Sequence, residues 1–259
     1  MSNPAIIIAA LVFGACIGSF LNVCIYRIPA GESIVSPGSK CPGCARPIRA
    51  YDNIPVVSFI LLMGRCRACG QKISFRYPMV ELITAGFAAC SILKYGLSPA
   101  APLIFAFICA LIVITFIDID HRIIPDAISL SGIPIGLFAS HFFLDLPLSD
   151  GLIGILAGGG SLFLVGFGYR LITGIEGMGG GDVKLLAMIG AVIGWQGVVF
   201  TLFAASVTGS VIGLALMLAN GKDMKLAVPF GPFLSMGAVL YIFFGQFLIS
   251  WYFGTGRLF

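Results

Sequence analysis

Long apolar runs, separated by short polar or glycine-rich joints, dominate the chain. Runs long enough to cross a bilayer, or nearly so, lie at about 5–26, 79–96, 100–117, 127–144, 151–171, 183–199, 200–219 and 230–252. The pattern predicts an all-α integral membrane protein of about eight transmembrane helices. The runs 183–199 and 200–219 are separated only by a tight turn at Trp195-Gln196-Gly197. One polar stretch interrupts the series, which gives three parts: a first transmembrane helix (1–26), an insertion (27–77) and a helical bundle (78–259). The first run has no basic segment before it and no small-residue cleavage site after it, so it reads as a retained helix and not as a secretory signal.

Composition agrees with this reading. Of 259 residues, 59% are hydrophobic and 10% are charged, against roughly 25% charged in soluble domains. Mean hydropathy is +1.06. The net charge of +4 does not indicate nucleic acid, because the basic residues follow the topology. The insertion holds Arg27, Lys40, Arg46, Arg49, Arg65, Arg67, Lys72 and Arg76 against Glu32 and Asp52, which makes it cytoplasmic by the positive-inside rule. Alternating sides from there, thirteen of fifteen basic residues fall inside, among them Arg122, Arg170, Lys184, Lys222 and Lys225; Lys94 and Arg257 fall outside. Eight spans then leave both termini on the opposite side, the periplasm in a bacterium. Glycines cluster at 158–160, 166–168 and 177–181; for most of them close packing of helices through small residues is sufficient.

Four of the eight cysteines (Cys16, Cys24, Cys90 and Cys109) lie in apolar runs, where a free thiol acts as a small hydrophobe. The others form Cys41-Pro-Gly-Cys44 and Cys66-Arg-Ala-Cys69, two C-x-x-C pairs with 21 residues between them. That spacing suits two knuckles around one tetrahedral zinc, with Gly43 and Gly70 at the turns. A segment this short builds little core, so metal binding would supply its folding energy. All four positions are filled by thiolates, so the zinc is structural and not hydrolytic.

Charge within an apolar run costs about 2.5–3.5 kcal/mol per residue and needs a reason. Two acidic clusters stand out. Asp118, Asp120 and Asp126 lie around the joint Ile117–Asp126, and Asp182 follows Gly177-Met178-Gly179-Gly180-Gly181, with Lys184 two residues on. The topology puts both clusters on one side of the membrane. Two carboxylates from different helices can share a proton, one activating water and the other polarising a peptide carbonyl, as an aspartyl protease requires. Asp118 and Asp182 are the candidates for this chemistry. Gly179 and Gly181 leave room for an extended substrate. Asp120 reads as a supporting or solvated acid and Asp126 as a cap for the next helix. Lys184 can face Asp182 or lipid headgroups, and Glu81 and Glu176 can pair with nearby cations. His121 reads as interfacial, and no partner for His141 can be named.

These motifs resemble the bacterial type IV prepilin peptidases. The resemblance rests on Gly18-Ser19-Phe20-Leu21-Asn22-Val23, Arg27-Ile28-Pro29, the two C-x-x-C knuckles around Asn53-Ile54-Pro55, Tyr77-Pro78-Met79-Val80-Glu81-Leu82, Asp118 with Ile124-Pro125-Asp126, and Gly179-Gly180-Gly181-Asp182-Val183-Lys184. It implies an inner-membrane enzyme that removes a basic leader from prepilins or type II secretion pseudopilins on the cytoplasmic side. It also implies methylation of the new amino terminus by S-adenosylmethionine. In that family pattern the catalytic acids fall on Asp118 and Asp182, and the distance to Asp126 selects Asp118 over Asp120. The methyl donor comes from resemblance alone, since the chain has no dinucleotide-type glycine loop. Expected partners are such substrates and membrane lipids, with no nucleic acid. Two other classes stay open on the residues: a proton-coupled transporter using Asp118 and Asp182, and a non-enzymatic scaffold anchored by its helices and carrying a zinc module.

Overall fold

The computed structural model describes residues 3–174, 179–220 and 228–252. The sequence readings for Glu176, Gly177, Met178, Lys222, Lys225 and Arg257 lie outside these residues. Eight α-helices are described, with a 3-10 turn at Ala50–Asp52 between the first two: α1 (Pro4–Arg27), the short α2 (Val57–Leu61), α3 (Arg76–Tyr95), α4 (Ala100–His121), α5 (Asp126–Phe143), α6 (Leu148–Thr173), α7 (Gly180–Asn220) and α8 (Gly231–Tyr252). Among the described residues there is no β-strand, and five helices, α1, α4, α5, α6 and α7, are long and apolar enough to cross a membrane. The chain divides into two compact units, Met1–Val113 and Ile114–Phe259.

In the first unit α1 and α3 pack along each other through small residues. A Cβ at Gly14 would stand 2.6 Å from the Ala88 Cβ, and one at Gly18 would stand 2.7 Å from the Glu81 Cα. The four-residue spacing puts both glycines on one face of α1, so the backbones approach closely. The insertion has no apolar core of its own. Ile60, Leu61, Met63 and Phe75 are all exposed. What ties it to the helices is polar. Glu81, buried in α3, accepts the Val56 N–H at 2.7 Å, and the Asn22 side chain in α1 donates to the Tyr77 carbonyl at 3.1 Å. Glu81 therefore does not pair with a cation, as the sequence suggests; its partners are the Val56 amide and the Ser19 hydroxyl.

In the second unit α7 is central and packs against α5, α6 and α8. At its contact with α6 a Cβ at Gly154 would stand 2.3 Å from the Gly190 carbonyl oxygen, and one at Gly190 would stand 2.1 Å from that of Gly154. Only glycine fits at either position. Gly158 is equally confined, whereas Gly160 and Gly168 face open space, so small-residue packing accounts for only some of the clustered glycines. The two helical runs predicted over 183–219 are the arms of α7. They meet at Gly194, whose φ of 73° and ψ of 178° break the helix. The joint therefore precedes the expected Trp195-Gln196-Gly197 turn, because Gly194 is the residue free to adopt positive φ. His141 does find a partner: its Nδ1 lies 3.0 Å from the Leu146 carbonyl oxygen.

Candidate active site and metal centre

The acids of the second unit gather where four helix ends meet. Asp118 lies one turn before the end of α4, and after His121 the chain reverses through Arg122, whose φ is 55°. Ile123, Ile124 and Pro125 lead into α5, while α7 begins at Gly180 with Asp182 in its first turn. The N-terminus of α8 closes the corner. Its first residue, Gly231, donates its N–H to the Asp118 Oδ2 at 3.0 Å. The first amides of a helix have no partner within the helix, and they carry the positive end of its dipole, so they suit a carboxylate.

Asp118 is buried, only 5% exposed, whereas Asp120 is exposed to solvent. The two therefore differ in kind: Asp118 turns into the packed unit and Asp120 turns outward. Asp182 is half-buried and close enough to Asp118 to feel its charge. Between the elements that carry them lies Ile124. A Cβ at Gly181 would stand 3.0 Å from the Ile124 Cβ, and one at Gly231 would stand 3.4 Å from its Cδ1 and 2.6 Å from the Asp118 Oδ2. Absence of a side chain at Gly181 and Gly231 thus lets α7 and α8 close on Ile124 with both acids in one corner. Gly179 is less confined; a Cβ there would meet only the Asp182 Oδ2, at 3.7 Å.

Two sequence readings change here. Asp126 occupies the first turn of α5 but makes no side-chain cap; it takes Lys184 Nζ at 2.7 and 2.9 Å on its two oxygens. Lys184 therefore serves neither Asp182 nor, in this arrangement, a headgroup. The ion pair ties the start of α5 to the first turn of α7 beside Asp182, but both partners are substantially exposed, so its contribution to stability is small. Gly231 is absent from the sequence reading altogether. Its signal is Pro229-Phe230-Gly231-Pro232 at the head of the last apolar run, a helix start with proline in its first turn and glycine where a backbone amide must approach another group.

The cysteine centre lies in the first unit. The Sγ atoms of Cys41, Cys44, Cys66 and Cys69 all lie within 4.8 Å of one another, and those of Cys41 and Cys69 are 3.8 Å apart. A tetrahedron of thiolates with Zn–S bonds of about 2.3 Å has sulfurs roughly 3.8 Å apart, so the four residues fit one zinc. Each pair sits on its own small hairpin. Cys41 N–H donates to Arg46 and Cys66 N–H to Gln71, while Ala45 N–H and Gly70 N–H return to Cys41 and Cys66. The residue after each second cysteine is left-handed, with φ of 55° at Ala45 and 72° at Gly70. Gly70 thus fills the conformational role expected of it. Gly43 does not; its missing side chain leaves room for Gln71, whose Oε1 would stand 1.6 Å from a Cβ there. The N–H groups of Cys44 and Gly43 hold the Cys41 thiol down to about 6. Cys69, although helped by the Gln71 N–H, is pushed up to about 11 by partial desolvation within the cluster and by hydrogen bonds with its three cysteine neighbours. Negative charge on one sulfur thus opposes charge on the next, and a dication among them relieves that repulsion.

Comparison with known proteins bears on the whole chain. Residues 12–95 match the family profile described as Bacterial Peptidase A24 N-terminal domain, and residues 105–214 match the Type IV leader peptidase family. A Pseudomonas putida protein named prepilin leader peptidase/N-methyltransferase is 38% identical over 94% of this chain and 93% of its own. Proteins of the same name from Stutzerimonas stutzeri (35%, over 99% and 97%) and Pseudomonas aeruginosa (34%, over 95% and 93%) agree. No solved structure shows a significant match. With its paired matches and its relatives aligned almost end to end, the chain belongs to the type IV leader peptidase family, a family of aspartic peptidases.

Proposed function

We propose that the protein removes a basic leader from prepilin-like or pseudopilin-like substrates at the cytoplasmic face of the bacterial inner membrane, using Asp118 and Asp182, and then methylates the new amino terminus. The observation that carries the protease half is the corner itself: a buried Asp118 held by the Gly231 N–H, with Asp182 within electrostatic reach. The two acids share one proton. The ionised carboxylate takes a proton from water as its oxygen attacks the scissile carbonyl, and the protonated partner hydrogen-bonds the carbonyl oxygen. The tetrahedral product collapses as the C–N bond breaks and the leaving nitrogen takes up a proton.

The excess of basic residues in the insertion supports a cytoplasmic position for it, with both termini in the periplasm. A basic leader would stay on that same side by the same rule. Zinc on Cys41, Cys44, Cys66 and Cys69 would fix the shape of the insertion and take no part in hydrolysis. The methyltransferase half rests on the names of the relatives. When bound, S-adenosylmethionine would supply the methyl group, but the described residues offer no β-α-β unit to seat such a donor and none is assigned to it.

The test is to incubate purified protein in lipid nanodiscs with a prepilin-like substrate, with and without S-adenosylmethionine, and to read the new amino terminus by mass spectrometry. Wild type should give a cleaved product that gains one methyl mass only when the donor is present. Asp182→Asn, folded and with zinc retained, should give none. Cleavage without methylation would keep the protease and remove the second activity.

A further inference from the structure

The insertion presents apolar side chains that nothing in the first unit covers. Ile60, Leu61, Met63 and Phe75 are 66%, 75%, 84% and 68% exposed. They form one neighbourhood. Ile60 and Leu61 end α2, Met63 lies in the turn that follows, and Phe75 meets Phe59 of α2 with ring centroids 6.2 Å apart. Beside this turn Arg65 and Lys72 face each other across an antiparallel bridge, both exposed, and the Ile73 N–H donates to the Gly64 carbonyl. The surface is therefore apolar at its tip and basic at its edge.

Its depth is fixed by the Glu81 bond. Val56 immediately precedes α2, and its N–H is held 2.7 Å from the Glu81 Oε2. Glu81 is next to Leu82 and Ile83, outward apolar residues of α3, so α2 starts level with the apolar surface of that helix. Phe75 lies seven residues before Leu82, about 10 Å along a helix axis against roughly 5–8 Å for one headgroup layer, so it stands at the outer edge of that layer. The insertion thus folds back along α3 instead of projecting away from it. Between Arg27 and Arg76 it carries eight basic residues against two acidic ones, so it does not suit the basic leader of a substrate. An anionic surface suits it, and the anionic surface at this depth is the lipid headgroup layer.

We propose that the turn after α2 is a membrane-surface anchor, with Ile60, Leu61, Met63 and Phe75 entering the headgroup region and Arg65 and Lys72 contacting anionic lipid. The anchor holds the cysteine centre against the membrane from the insertion side, in addition to its attachment through α1 and α3.

The test uses the full-length protein in nanodiscs of phosphatidylcholine alone or with phosphatidylglycerol. Amide hydrogen exchange over residues 57–63 should slow by roughly fivefold with the anionic lipid, and Arg65→Glu with Lys72→Glu should remove that difference. A tryptophan introduced by Leu61→Trp, or by Met63→Trp if the first variant loses zinc, should be quenched by chain-brominated lipid above the level of the native tryptophans. Equal exchange in both lipids together with an unquenched tryptophan would overturn the proposal. Protection that develops only on adding a prepilin-like peptide would overturn it too, by assigning the surface to substrate.

Discussion

The cysteine centre and the aspartate corner are assembled by opposite routes. Each cysteine pair closes a hairpin of a few residues, and the two hairpins meet across an interval of only 21 residues. The corner joins Asp118 to Gly231, 113 positions away, through a single backbone hydrogen bond, with Ile124 filling the space to Gly181. The first is a local pattern whose four thiols are close enough to hold one metal ion. The second depends on helix packing throughout its unit, and on the absence of side chains at two positions.

Breaking one region without the other is the sharpest way to separate them. Replacing Cys41 and Cys44 together by alanine removes half of the metal site, and structural zinc in such modules is worth roughly 10–16 kcal/mol of apparent binding free energy. The pair should lose zinc by metal analysis and expose the insertion to proteolysis, while the Asp118–Gly231 corner persists and cleavage of a prepilin-like peptide is retained at least in part. Metal should also leave the wild-type centre as pH falls, since protonated thiols release zinc.

Gly231→Ala attacks the other region. The added Cβ would meet the Asp118 Oδ2 at 2.6 Å, so the carboxylate must move or α8 must retreat. A displacement of about 1 Å at a catalytic group can cost roughly 10²-fold, and the loss should appear in kcat more than in KM, with zinc content unchanged. A smaller effect is expected at the polar tie of the insertion. Glu81→Leu leaves the Val56 amide without its acceptor, a loss of about 1–3 kcal/mol that should appear as faster hydrogen exchange around α2. The smallest change is a gain. Ala45 holds a φ of 55° that glycine adopts freely, so Ala45→Gly should stabilise the first knuckle by about 1 kcal/mol, read as slower zinc release to a chelator.

The contrast between the two regions also explains what could be read in advance. Four thiols at knuckle spacing carry their geometry with them, and long apolar runs announce helices, so the all-helical fold and the clustering of the four cysteines were legible in order and type. The acids were legible as residue types too, since charge in an apolar run is costly wherever it lies. Their partners were not. Gly231 becomes relevant only once α8 packs end-on against α4, and Lys184 reaches Asp126 only because α5 and α7 start side by side. Glu81 illustrates the same limit: a buried carboxylate can be satisfied by one backbone amide from a distant loop, and no residue type marks which amide. Gly43 and Gly194 show that a glycine's presence can be noted while its reason, space in one case and positive φ in the other, awaits the packed chain.

The most direct test of the account compares Asp118→Asn, Asp120→Asn and Asp182→Asn in one prepilin cleavage assay, with melting temperature and zinc content as controls for folding. Asp118→Asn and Asp182→Asn should each lose roughly 10²–10⁴-fold in cleavage rate while Asp120→Asn stays close to wild type. Sustained cleavage by a folded Asp118→Asn or Asp182→Asn enzyme, or loss confined to Asp120→Asn, would contradict it.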